Sequence, residues 1–220
     1  MFTGIIQEKV PVRSLRFDSD KKACVLRIES AHEQRRTWKL GDSIALDGVC
    51  LTIVSLEHEE ATSLISFDVS KETLACAHWG RTFESDHNRL KYLHLEPAMK
   101  MGDSLGGHLV SGHVETVAVL EQIKNEGSGE EKYSEYTFSI PRDSSAASFL
   151  IDKGSIALDG VSLTLNRVWD EPGKTFFMVY MIPHTLEKCH FPTLEVGDLV
   201  NVESDLMARH FCRYQEVKNS

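Results

Sequence analysis

The ten residues SIALDGVCLT at 43–52 recur as SIALDGVSLT at 155–164, with one difference: Cys50 in the first copy is Ser162 in the second. A repeat constrains a fold more than any local propensity does, because each copy has to bury its apolar face by the same arrangement of elements. The self-similarity extends beyond this stretch. KETL (71–74) faces PHTL (183–186) at the same offset of 112, YLHLE (92–96) faces LVNVE (199–203) at an offset of 107, and FTGIIQE (2–8) aligns with VSGHVET (110–116), which sets Gly4 on Gly112. The drop from 112 to 107 puts five extra residues in the first copy, within AHWGRTFESDHNR (77–89). Segments in register imply two tandem domains of ordinary size, with expected spans of 1–107 and 108–204 and a terminal element over 205–220.

Each half reads as β. KACVLRIES, SLISFDVS, YTFSI, FFMVYMI and the two copies of the motif are short, rich in Val, Ile, Leu, Phe and Thr, and punctuated by DG or NEGSGE turns. The Asp-Gly pair between apolar segments signals a tight turn, since Gly takes positive φ at little steric cost. Many short strands with such punctuation point to a small closed barrel, because closure removes unpaired edges. Two short helical pieces are expected in SAHEQRRTWK and DSSAASFLID, the second opened by a capping Asp or Ser. In the terminal segment Leu206, Met207, His210, Phe211, Tyr214 and Val217 share one helical face. That face either packs on its own barrel or associates with other subunits.

Bulk composition excludes several classes. A net charge of −9 and the lack of a basic run argue against nucleic acid as a partner, and no apolar run is long enough to cross a membrane. The five cysteines are odd in number and form no CxxC pair, so neither a zinc site nor a disulfide framework is expected. The N-terminal residues carry no secretion signal, and a cytoplasmic protein is the expectation.

No phosphate loop, GxGxxG, HExxH or GxSxG occurs. GGHLVSGH holds His108 and His113 five apart, a spacing that suits neither a helical nor a strand metal pair, and no third ligand lies nearby. An imidazole acting as acid or base, or orienting a ring, fits better. A doubled barrel presents two pockets of one shape, fit to hold two copies of one small molecule, and if those copies react with each other the linings must differ at a few points. The differences are polar and local: Cys50 against Ser162, Ile5 against His113, Glu72 against His184 and Ala98 against Asp205. Blander roles stand beside these. Cys50 also suits a core position, Thr52 and Thr164 an ordinary strand, and Asp205 a helix cap.

MFTGI, SIALDGVCLT, FDVSKETL, GGHLVSGHV, KGSIALDGVSLT, IPHTLE and NVESD together resemble the riboflavin synthase family, which is built on two lumazine-binding repeats. The resemblance implies an all-β chain of tandem duplicated six-stranded Greek-key barrels with a C-terminal α-helix. It implies a transferase that dismutates two molecules of 6,7-dimethyl-8-ribityllumazine by four-carbon transfer, giving riboflavin and 5-amino-6-(ribitylamino)uracil, with no cofactor and no metal. It further implies a homotrimer held by C-terminal helices, with the active site between the N-barrel of one subunit and the C-barrel of the next. Matched to this sequence, the N-barrel pocket comprises Gly4, Ile5 and Ile6, then Cys50, Leu51 and Thr52, then Asp68, Val69, Ser70, Lys71, Glu72 and Thr73. The C-barrel pocket comprises Gly112, His113 and Val114, then Lys153, then Ser162, Leu163 and Thr164, then Ile182, Pro183, His184, Thr185 and Leu186. The catalytic candidates are Phe2, Cys50, His108, Ser162, Thr164 and Asp205. The long polar stretch from Ala75 to Asn88 and the ending YLHLEPAM depart from the family pattern outside these positions. A non-catalytic lumazine- or flavin-binding antenna of the same fold is the rival reading, as is an adaptor that uses only its terminal helix.

Overall fold

A computed structural model of the protein describes residues 1–18, 23–79, 91–126 and 133–219. The first six strands are β1 (Glu8–Asp18), β2 (Ala23–Ser30), β3 (Ser43–Leu46), β4 (Val49–His58), β5 (Ser63–Val69) and β6 (Tyr92–Pro97). The next six are β7 (Thr116–Glu126), β8 (Tyr133–Pro141), β9 (Ser155–Leu158), β10 (Val161–Glu171), β11 (Lys174–Met181) and β12 (Leu199–Ser204). Both sets close into antiparallel barrels. The first runs β1-β2-β5-β4-β3-β6 and the second repeats that order six strands on. In each, a three-strand meander is flanked by the strand that precedes it, which is a Greek key. Irregularities in pairing fall at matching places, at Val12/Ser14 and Leu120/Gln122 and again at Ile53/Ser55 and Leu165/Arg167, where bulges sharpen the twist.

The motif forms the β3–β4 and β9–β10 hairpins. Asp47 and Gly48 have φ of 43° and 78°, Asp159 and Gly160 44° and 78°, so both central residues of each two-residue turn are left-handed, as a type I′ turn requires. Phe67, Trp79 and Leu93 fill the N-barrel, while Phe138, Phe177 and Phe191 fill the C-barrel. The two expected helical pieces are shorter and tighter than α-helices. They are 3-10 turns at Glu33–Thr37 and Ser145–Phe149, and Ser144 at the head of the second makes no side-chain cap bond. Two α-turns follow β5 and β11, α1 (Lys71–Cys76), capped by Ser70 Oγ accepting from Thr73 N at 3.0 Å, and α2 (Pro183–Lys188), opened by a proline. A third helix, α3 (Leu206–Asn219), closes the chain. Most of the proposed five-residue insertion, and the glycine-rich centre of the NEGSGE turn, lie outside the described residues.

The barrels meet through equivalent residues related by an approximate two-fold axis. Phe2 and Val110 exchange both backbone hydrogen bonds, at 2.8 and 3.1 Å. A Cβ on Gly48 would lie 2.8 Å from Gly160 N, and one on Gly160 2.7 Å from Gly48 N, so the glycines of both turns are required by the junction as well as by φ. Beside them Asp47 and Asp159 are fully buried. Asp47 accepts from His94 N and from the Trp79 indole, and Asp159 accepts from Asn201 N. His78 Nε2 lies 3.3 Å from Asp47 Oδ2 and 3.5 Å from Asp159 Oδ1, and His190 Nε2 lies 3.0 Å from Asp159 Oδ2. Burial pushes the Asp47 carboxyl up, but His190, His78 and His94 outweigh it and hold that group at about 2. Burial likewise disfavours charge on His78 and His190, yet the two carboxylates win and both imidazoles are raised.

Candidate active site

Side chains alternate along β4 and β10, so Leu51 and Leu163 enter the barrel cores while Thr52 and Thr164 are exposed and Cys50 and Ser162 are half-buried. The candidate cradles therefore lie on the outer walls of the barrels and not in their lumens. Leu51, Leu163 and Val69 are core residues, and what they present to such a cradle is backbone.

The segment that leads into each barrel lies against the other barrel. Ser162 N donates to Gly4 O and Cys50 N to Gly112 O, both at 2.8 Å. Ile6 packs against the C-barrel core and Val114 against the N-barrel core. These crossings explain the glycines. Gly4 and Gly112 have φ of 76° and 83°, and a Cβ on either would sit 2.5 Å from Cβ of Ser162 or Cys50. Thus the structure sets the Gly4 segment against the Ser162 strand and the Gly112 segment against the Cys50 strand, whereas the sequence grouped each segment with its own barrel. Ile5 and His113 are exposed beside them, Ile5 within reach of Gly106.

Each crossing is fixed by a buried carboxylate that the sequence reading missed. Glu96, at the end of β6, accepts from Thr3 N at 2.7 Å, Thr3 Oγ1 at 2.8 Å and Gly4 N at 3.0 Å. Glu203, its counterpart on β12, accepts from Ser111 N at 2.6 Å, Ser111 Oγ at 2.8 Å, Gly112 N at 2.9 Å and His113 N at 3.0 Å. A carboxylate with several N–H donors holds a loop firmly, because each bond to a charged acceptor is stronger than a neutral one. The signal was present in the matched final Glu of YLHLE and LVNVE. Asp47 and Asp159 were likewise visible as the turn residues of the motif, but not as junction groups.

Of the catalytic candidates, the structure brings His108 and Ser162 together. His108 Nδ1 lies 2.7 Å from Ser162 Oγ, His108 N donates to Thr3 O at 3.1 Å, and His108 Nε2 is buried without a partner among the described residues. Gly107 permits this approach, since a Cβ there would collide with Thr3 O and lie 2.7 Å from Ser162 Oγ. Burial lowers the His108 pKa, with Asp205 and Glu203 partly opposing it, so the imidazole is a neutral base at neutral pH. Cys50 sits at the equivalent point of the other crossing, packed near the Phe2 and Val110 cluster. Phe2 itself is fully buried, and its contribution there is shape. Asp205 Oδ1 accepts from Met207 N at 2.8 Å and thereby caps α3 while its charge reaches His108.

Lys153 is exposed with φ of 66°, where the first repeat has Gly41 at 90°. A lysine in the left-handed region costs about 1–2 kcal/mol. Ser70, Lys71 and Glu72 are exposed at the head of α1, and Ile182, Pro183 and His184 at the head of α2, while Thr73, Thr185 and Leu186 are half-buried and Asp68 is exposed at the end of β5. At the junction Asp47, His94 and His190 bring their ligand atoms within 4.8 Å of one another, as do Asp47, His78 and Asp159. The ring of His94 spends Nδ1 on Asp159 O and Nε2 on His190 N, both at 2.8 Å.

The sequence matches the lumazine binding domain family over residues 3–88 and again over 111–205. It is 39% identical over 209 residues to the riboflavin synthase of Chlamydia pneumoniae, covering 95% of this chain and 92% of that one. Identity to the riboflavin synthase of Brucella abortus is 38% over 215 residues, 97% of each chain, and to that of Bacillus subtilis 32% over 219 residues, 100% of this chain and 92% of that one. The crystal structure of LumP complexed with 6,7-dimethyl-8-(1'-D-ribityl) lumazine shares the fold, with a TM-score of 0.71 at 20% identity over 93% of this chain and 99% of that one. Both repeats match the domain and the relatives align along nearly the whole chain, so this protein belongs to the riboflavin synthase family of two-domain lumazine-binding proteins.

Proposed function

We propose that the chain is a riboflavin synthase, a transferase that holds two molecules of 6,7-dimethyl-8-ribityllumazine and moves a four-carbon unit from one to the other. The observation that carries this reading is the pairing of near-identical outward-facing strands whose one exchanged residue, Cys50 for Ser162, meets unlike surroundings: Ser162 is hydrogen-bonded to His108, and Cys50 packs against the apolar cluster of Phe2 and Val110. Two ligands of one structure are thereby given different roles. His108, kept neutral by its burial, is the base assigned here to the acidic C7 methyl of the lumazine beside it. Ser162 orients that imidazole, Thr52 and Thr164 with Lys153 meet ribityl hydroxyls or ring carbonyls, and Cys50 stands where a nucleophile would add to the second lumazine. Positioning two reactants face to face accounts for a large part of the rate, about 7–11 kcal/mol in well-oriented systems.

The C-terminal helix supports an assembly. Met207, Phe211, Tyr214 and Val217 are 60 to 68% exposed along one face. Such a stripe, covered by the same stripe of other subunits, supports the trimer that the family resemblance implies, in which the N-barrel of one subunit meets the C-barrel of the next. No described helix is long and apolar enough to cross a membrane, and all five cysteines are free, which fits the cytoplasm.

The test is to incubate the purified protein with the lumazine alone, in buffer without flavin or nicotinamide. One riboflavin for every two lumazines consumed is the expected result. Tight lumazine binding without product would instead favour the antenna reading.

A further inference from the structure

The two carboxylate clamps differ in one respect that the repeat does not predict. Glu203 has a cation over it. Arg209, on the second turn of α3, places Nη1 2.7 Å from Glu115 Oε1, Nη2 3.7 Å from Glu203 Oε1 and Nη2 3.5 Å from Ser111 Oγ. Glu115 is itself tied to β12 by Ser204 Oγ at 2.8 and 2.9 Å. In the N-barrel Gln7 replaces Glu115, and the position matching Arg209 is Gly102, with nothing within 4 Å of where its Cβ would be. There the clamp Glu96 borders an open cleft of about 350 Å³ that Gln7 and Ala98 also line. The Arg209 side chain is only 22% exposed and turns toward its own barrel, away from the apolar stripe of the helix.

We propose that Arg209 is a positioning residue for the cradle that contains His113: through Glu203 it fixes the Ser111–His113 segment, a brace that no described residue supplies to the Thr3–Gly4 segment held by Glu96. This rests on the lumazine-binding reading above. The chemistry is ordinary. A carboxylate holding four donors is more firmly placed when a guanidinium neutralises it and spans to a second carboxylate just before the neighbouring strand. Among the described residues the N-barrel clamp lacks that brace, which provides an internal control.

The experiment is equilibrium titration of the full chain with 6,7-dimethyl-8-ribityllumazine and with riboflavin. The wild-type protein is expected to bind two ligands per chain. In Arg209→Met one of the two sites weakens about tenfold or more, while the other keeps its wild-type constant. Arg209→Lys recovers part of the loss. Under turnover KM rises more than kcat falls, because a loop that touches ground state and transition state alike contributes uniform binding. His113→Ala weakens the same site, and the double variant loses less than the two single losses combined, since both act on one loop. Sedimentation of Arg209→Met matches the wild type. Equal weakening of both sites, no weakening, or additive losses with His113→Ala would overturn the proposal. Should Arg209→Met not fold, Glu115→Gln removes the nearer partner and carries the same test with a smaller effect. A wild-type protein that takes up no lumazine at all would sink the functional reading first, before any variant is compared.

Discussion

Ser162 Oγ and His108 Nδ1, 2.7 Å apart and 54 positions apart in sequence, form the contact on which the proposed chemistry turns. Ser162→Ala deletes the hydroxyl but leaves the Ser162 N bond to Gly4 O intact, so the fold loses about 1 kcal/mol or less. Its kcat is expected to drop about tenfold or more, read from initial rates of riboflavin formation. Because burial lowers the His108 pKa, the proton acceptor is unprotonated down to pH values below the ordinary histidine range of about 6.5. The acid limb of kcat/KM in the wild type should then fall below that range, and His108→Gln should remove the limb. A limb unmoved in His108→Gln would assign it to another group.

Elements are fixed by turn chemistry, and the second repeat breaks its own rule at Lys153. The loop before β9 needs a left-handed residue there, which the first repeat supplies as Gly41. Lys153→Gly should raise stability by about 1 kcal/mol, measured by urea unfolding, and at the same time weaken lumazine binding. A variant that gains stability with unchanged affinity would show that the ammonium has no part in the cradle. The same logic explains which helical elements were legible. The spacing of Met207, Phe211, Tyr214 and Val217, in steps of three and four, announced α3, whereas α1 and α2 are single turns whose six residues are too few for a period to register.

At the scale of the whole molecule the junction sets how stability responds to pH. His94 is neutral, pushed down to about 3 by burial first and by the charge of His190 second. Its unfolded value is about 6.5. Between those values the unfolded chain binds a proton that the folded one refuses, so this residue removes stability as pH falls below 6.5. His78 and His190 act in the opposite sense: raised in the fold, they add stability that is present below about 6.5 and is lost as pH rises through their folded values. These three histidines place a stability maximum near the histidine range, while Asp159, raised by burial, opposes the loss on the acid side. The second repeat supplies the variant that tests it. Asn201, the counterpart of His94, donates from Nδ2 to Asp47 O at 2.9 Å and accepts from His78 N at 2.8 Å, the two bonds that His94 makes to Asp159 and His190. His94→Asn keeps that pattern without a titrating group. At pH 5, relative to pH 7, it should gain about 2 kcal/mol over the wild type in urea unfolding, and parallel pH profiles would refute the assignment.

Sequence alone determined that the chain is two barrels of one design, where their tight turns fall, and which few polar positions differ between them. Those properties are set within a few residues: period-two alternation selects the strand face, and Asp-Gly selects the turn. Tertiary structure alone decided that Gly4 meets Ser162 and Gly112 meets Cys50, that Asp47 and Asp159 are buried at the junction, and that Arg209 braces one clamp only. The reason is the repeat itself. Two copies of one surface offer the same local fit to either lead-in segment, so nothing in the sequence of a single copy states which barrel that segment will cross to; the packing of both barrels together makes the choice.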